Sequence, residues 1–121
     1  MTEVKLTVLY PYPTDIEKFN RDYQEHILLL REKMHIPADE QPYTVMRFAA
    51  TEHDKPQYYQ MFTMEFPSAD HLQQIMNSPQ MQEISLNETR ISTGGQPVVM
   101  VGVEGRKANK KVTADKVLQG N

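Results

Sequence analysis

Two periodicities alternate along this chain, and their order constrains the fold more than any other feature. Residues Val4-Lys5-Leu6-Thr7-Val8-Leu9-Tyr10 alternate apolar and polar with period two, as a half-buried strand does. Pro11 and Pro13 end that run, because proline cannot continue a ladder. Ile16, Phe19, Tyr23, Ile27, Leu30 and Met34 then recur at steps of three and four, which predicts a helix over Asp15 to Met34. Thr14 and Glu17 match a capping box at its start, and Pro37 follows its end. Period two returns twice, in Tyr43 to Ala50 and in Tyr58 to Phe66, with a turn-forming Thr51–Gln57 stretch between them.

A second helical region follows in two segments. Ser68 caps the first, with Leu72, Ile75 and Met76 as its inner face. Ser78-Pro79 opens the other, where Met81, Ile84 and Leu86 are expected to anchor it. Gly94-Gly95 makes a turn, and Val98 to Val103, the most apolar run, reads as a strand that is central or buried on both faces. The order is β-α-β-β-α-β, an α+β fold of the ferredoxin-like kind: an antiparallel sheet with both helices on one face. That arrangement leaves the second sheet face bare, yet the strands carry apolar residues on both sides. Soluble single chains avoid large exposed apolar patches. A second copy packed by two-fold symmetry is the simplest cover, so a homodimer is expected.

Composition narrows the function classes. The chain has 121 residues, room for one domain, and no cysteine, which removes disulfides and thiol chemistry and suits a reducing cytoplasm. No apolar run approaches a membrane span, and a net charge of −3 argues against nucleic acid, so neither is an expected partner. Residues 105–121 carry five basic residues against Asp115, a net +4 that leaves −7 for the rest of the chain. The expected division is therefore a domain over 1–105 and a basic tail over 106–121.

The opening Val4–Tyr10 run, the Pro13-Thr14-Asp15 start and the Phe19-x-x-x-Tyr23 step resemble the EthD-like family, named for ethyl tert-butyl ether degradation. The resemblance spans roughly residues 4 to 104. It implies the dimeric α/β-barrel superfamily, whose relatives include cofactor-free monooxygenases, muconolactone isomerases, polyketide cyclases and haem-handling enzymes. The family often shows Tyr-x-x-x-His-x-Pro-Leu in its first helix. Here the stretch is Tyr23-Gln24-Glu25-His26-Ile27-Leu28-Leu29-Leu30, with Ile27 at the histidine position and Leu29 at the proline position. His26 stands one residue early, a turn of about 100° around a helix.

A pocket in this fold would lie between the helices and the sheet, within reach of Tyr10, Tyr23, His26, Arg47, Tyr58 and His71. Tyr23 and His26 share a helix side, and a histidine there can move protons near neutral pH. Arg47, in an apolar strand, needs an anion: a ligand, or Glu65 or Glu104 on a neighbouring strand. Tyr23, His26, Arg47 and His71 are thus the candidate catalytic residues, each with an ordinary structural reading beside it. The histidines lack metal-ligand spacing and there is no phosphate loop, so no metal and no cofactor are expected. Eight methionines suit a site for a small apolar or aromatic guest. The expected function is a metal-free oxygenase, isomerase or cyclase acting on such a molecule; the alternative is a non-catalytic small-molecule-binding or accessory protein.

Overall fold

The computed structural model describes residues 3–103. Its elements follow the expected order: β1 (Val4–Pro11), α1 (Ile16–Lys33), β2 (Tyr43–Arg47), β3 (Tyr58–Phe66), α2 (Ala69–Met76), α3 (Pro79–Ile91) and β4 (Val98–Gly102). The four strands form one antiparallel sheet in the order β2-β3-β1-β4. This is the ferredoxin-like split arrangement. The domain limit at residue 105, the basic tail and Glu104 lie outside the described residues.

Helix α1 starts one residue later than the capping box implied. Asp15 is the N-cap, and its carboxylate accepts from the Lys18 amide. Thr14 instead donates its backbone N–H to Thr93 Oγ1, tying the helix entry to the loop after α3. The inner face of α1 is Phe19, Tyr23, His26 and Leu30, whereas Ile16 and Leu28 are exposed. Its end turns through His35, which takes a left-handed φ of 55°; Ile36 and His35 donate back to Arg31 and Glu32 carbonyls. Arg31 then holds the loop into β2 by donating to Tyr43 Oη at 2.6 Å and to the Pro37 carbonyl at 2.8 Å.

The second helical region divides as expected. Ser68 and Ser78 each accept from the amide three residues on. Leu86 does not anchor α3; it is 74% exposed. The inner stripe is Met81, Ile84, Glu88 and Ile91, at steps of three, four and three. Gly94 is demanded by a close approach, since a Cβ there would stand 1.8 Å from the Tyr12 carbonyl oxygen.

Facing residues in the sheet register define its two sides. Val4, Leu6, Val8 and Tyr10 of β1 lie beside Phe66, Met64, Phe62 and Gln60 of β3, all under the helices and all buried. The other side carries Leu9, Met61, Met46, Val98 and Met100 among threonines, with a Lys5–Glu65 ion pair at one end. The most apolar strand is not central. Among the described residues β4 is an edge strand paired only with β1, and Val99, Met100 and Val101 remain about half exposed. In this topology the last strand joins outside the first, so its hydrophobicity answers to something other than the chain's own single layer of helices. Strand β2 is also shorter than expected, ending at Arg47, with one further bond from the Phe48 amide to Tyr59.

Candidate functional site

Register places three polar-bearing residues side by side under the helices. Tyr10 of β1 pairs with Gln60 of β3, which pairs with Arg47 of β2. Above them α1 contributes Tyr23 and His26, and α3 contributes Glu88. Tyr10 packs edge-on against both Phe19 and Tyr23, and the His26 ring lies 5.9 Å from that of Tyr23.

Two arginines at the rim orient two amides into this layer. Arg90 donates through Nε and Nη2 to Asn87 Oδ1, at 3.0 and 2.8 Å. A guanidinium only donates, so Asn87 must turn its oxygen outward and its NH₂ inward. That NH₂ meets His26 Nδ1 at 2.8 Å. Nδ1 is therefore an acceptor, and the neutral ring carries its proton on Nε2. Arg47 does the same to Gln60, donating through Nε and Nη2 to Oε1 at 3.1 and 2.8 Å. Arg47 also lies over the Tyr59 ring, 5.1 Å from its centre. Its partner is thus an amide; Glu65 points to the other side of the sheet and pairs with Lys5.

The electrostatics follow from burial. His26 is 3% exposed, and desolvation, with the Arg90 charge behind it, pushes its pKa down to about 4. Glu88 occupies an inward position on an otherwise apolar stripe, and desolvation pushes its carboxyl up to about 7. The Tyr10 and Tyr23 hydroxyls are raised, first by burial and then by Glu88. At neutral pH the site holds a neutral imidazole that can donate and a carboxyl near half ionisation that can accept a proton.

His26 and Glu88 line one cavity with Leu6, Leu30, Phe62, Met64, Met81 and Ile84. It admits the centre of a water molecule over ≈ 10 Å³, about one water's worth. Tyr23, one helical turn before His26, does not line it, and neither do Gln60 and Arg47. His71 does not join. It is exposed on the first turn of α2, its ring 6.1 Å from that of Phe66. Tyr58 is partly exposed, while Tyr59 is buried and donates to Asn20 Oδ1. Glu88, Gln60 and Asn87 were not among the expected site residues. The 81-84-88-91 spacing marks Glu88 as inward, and period two from Phe62 does so for Gln60. Among the described residues no three His, Asp or Glu side chains are placed to share a metal, and no helix is long and apolar enough to cross a membrane.

No family model and no curated protein matches the chain. Solved structures do. A protein of the EthD family from Bacillus halodurans is 26% identical over 85% of this chain and 99% of its own, with a TM-score of 0.70. An EthD-like protein from Ralstonia eutropha is 20% identical over 90% and 99%, at 0.62. The hydroxynitrile lyase of Passiflora edulis shares 12% identity over 88% and 96%, at 0.66, a likeness of fold alone. Three further neighbours of this fold, from Thermobifida fusca, Jannaschia and Bacteroides fragilis, are described as dimeric. The resemblance read from the N-terminal residues is therefore borne out, as is the ferredoxin-like α+β fold.

Proposed function

We propose that this EthD-like chain is a cytoplasmic homodimeric enzyme whose own side chains move a proton on a small, largely apolar molecule, as an isomerase or cyclase does. The observation that carries this reading is Glu88: a carboxyl on an apolar helix stripe, raised to about 7, facing the same cavity as a neutral buried histidine. Glu88 is partly exposed, and it has no hydrogen bond or ion pair among the described residues to hold it ionised. In this reading the cavity, which admits about one water as it stands, widens to take the substrate; Glu88 accepts the substrate proton and His26 Nε2–H donates to developing charge, with Tyr23 and Arg47 in the layer behind them. Oxygenation on the same site would add molecular oxygen to the anion so formed.

The dimer is supported by the apolar residues on the bare sheet face and by β4, and by the dimeric neighbours. Each such side chain removed from water is worth roughly 1.5–3 kcal/mol. The cysteine-free composition suits a reducing compartment.

A non-catalytic binding protein is the second reading, favoured by the six apolar residues among the eight that line the cavity. Deuterium exchange separates the two. An enolisable butenolide and acetophenone, each incubated with the protein in heavy water, should take up deuterium at the carbon beside the carbonyl. Glu88→Gln should slow that by about 100-fold or more. Exchange no faster than in buffer, alongside a clear thermal shift from the same probes, would leave the binding reading standing.

A further inference from the structure

One ring nitrogen of His26 is tied within the fold and the other is not. Nδ1 accepts from the Asn87 NH₂, so the neutral ring carries its proton on Nε2. That N–H has no acceptor among the described residues, although His26 is only 3% exposed. Nor is Nε2 sealed off among packed atoms; the sealed, unpaired side-chain atoms are Tyr23 Oη and Gln60 Nε2. Nε2 therefore opens onto space, and the space that His26 lines is the cavity between the helices and the sheet.

The same cavity holds a matching acceptor. Glu88 lines it, and its carboxyl has no hydrogen bond or ion pair among the described residues. The other six lining residues are apolar. An apolar hollow stays dry, whereas a water needs room for about one probe sphere and two to four polar partners. This hollow gives ≈ 10 Å³ to the centre of a water. It supplies one strong donor and one strong acceptor, and the thioethers of Met64 and Met81 in its lining are weak acceptors.

The geometry points to a one-water site between His26 Nε2–H and the Glu88 carboxyl. The water accepts from the imidazole and donates to a carboxyl oxygen, which can accept whether or not Glu88 is ionised. It completes a chain that runs in one direction: Arg90 donates to Asn87, Asn87 to His26, His26 to the water, and the water to Glu88. Bonds aligned in this way polarise one another, from the guanidinium at one end to the carboxyl at the other. The chain leaves α3 at Asn87, crosses to His26 on α1 and returns to α3 at Glu88. It thus clamps the two helices through polar links inside an apolar seam. Glu88 is partly exposed, so the water exchanges with solvent past its side chain. A guest entering the cavity displaces this water and takes over its two contacts. The site belongs to the folded chain and stands whether or not the chain turns over a substrate.

A crystal structure of the full-length protein should show one ordered water within about 3 Å of both His26 Nε2 and a Glu88 carboxyl oxygen. In solution, ¹⁷O relaxation dispersion counts the waters that a protein holds in place. The parent should hold about one more than Glu88→Leu, which loses one of the two strong partners. Leucine continues the apolar stripe of α3, so the fold of that variant should survive. Glu88→Gln keeps an acceptor oxygen and should match the parent's count. Deuterium uptake, which Glu88→Gln should slow, reports the proton-transfer reading separately, so the two can fail independently. A dry cavity, a water bonded to only one of the two groups, or equal counts in the parent and a folded Glu88→Leu protein overturns the proposal.

Discussion

The two arginine-held amides of this core are built alike and end differently. Arg90 fixes Asn87, whose inward NH₂ finds His26 Nδ1 at 2.8 Å. Arg47 fixes Gln60, whose inward NH₂ finds nothing among the described residues. The first completes a network and sets a tautomer. The second holds an unspent donor beside another, Tyr23 Oη. The contrast teaches that the same arginine-held amide can either complete a network inside the fold or leave its inward group unpaired among the described residues.

The largest expected effect concerns protons. The folded pKa of His26, about 4, lies below its ordinary 6.5, so the unfolded chain binds the extra proton between those values. Stability from this group is lost as pH falls through that window, by up to about 3 kcal/mol. The folded value of Glu88, about 7, lies above its ordinary 4.5, so the folded chain holds the extra proton and stability falls as pH rises from 4.5 to about 7. The two slopes oppose each other where the windows overlap. Glu88→Gln removes one of them. Urea unfolding should then show the variant losing more stability than the parent on acidification from about 6.5 to 4. Parallel curves would mean that the Glu88 carboxyl is not raised in the folded chain.

The amide contrast itself comes next. Asn87→Leu strands His26 Nδ1 without a donor and should cost about 1–3 kcal/mol. Gln60→Met removes a donor that has no partner among the described residues and frees the exposed Arg47 to water, so its cost should stay below about 1 kcal/mol. Equal costs, measured by denaturant unfolding, would erase the distinction between the two amides. Asn87→Asp sharpens it differently: a carboxylate against Nδ1 should lift the His26 titration by about one unit or more, read by ¹⁵N NMR. The smallest effect belongs to Tyr23→Phe, which should leave stability within about 0.5 kcal/mol, since the lost hydroxyl has no partner.

Much of this was legible in the sequence, and the failures have reasons. Alternating periods show the strand and helix order because burial on one side imposes them. Ser68 and Ser78 announce the broken second helical region by their capping chemistry. Helix α1 carries more inward-looking apolar residues than it buries. Six apolar residues fit a 3.6 repeat, yet Ile16 lies in water and His26 takes an inner place beside Ile27. Glu88 is hidden by its charge: a glutamate reads as the end of an apolar stripe unless Ile91 is counted beyond it. The position of β4 is hidden by its hydrophobicity. Apolar residues on both faces signal cover on both faces, but not whether the cover comes from the same chain. No local pattern shows the two amides, because Arg47–Gln60 and Asn87–His26 meet only once the layers pack.

The most direct test of the account is the proton state of Glu88. Carboxyl ¹³C NMR of the full-length protein, assigned by comparison with Glu88→Gln, should give one glutamate titrating near 7, apart from the exposed carboxyls. A Glu88 signal titrating at 4.5, its ordinary value, would contradict the claim that this core holds a poised acid–base site.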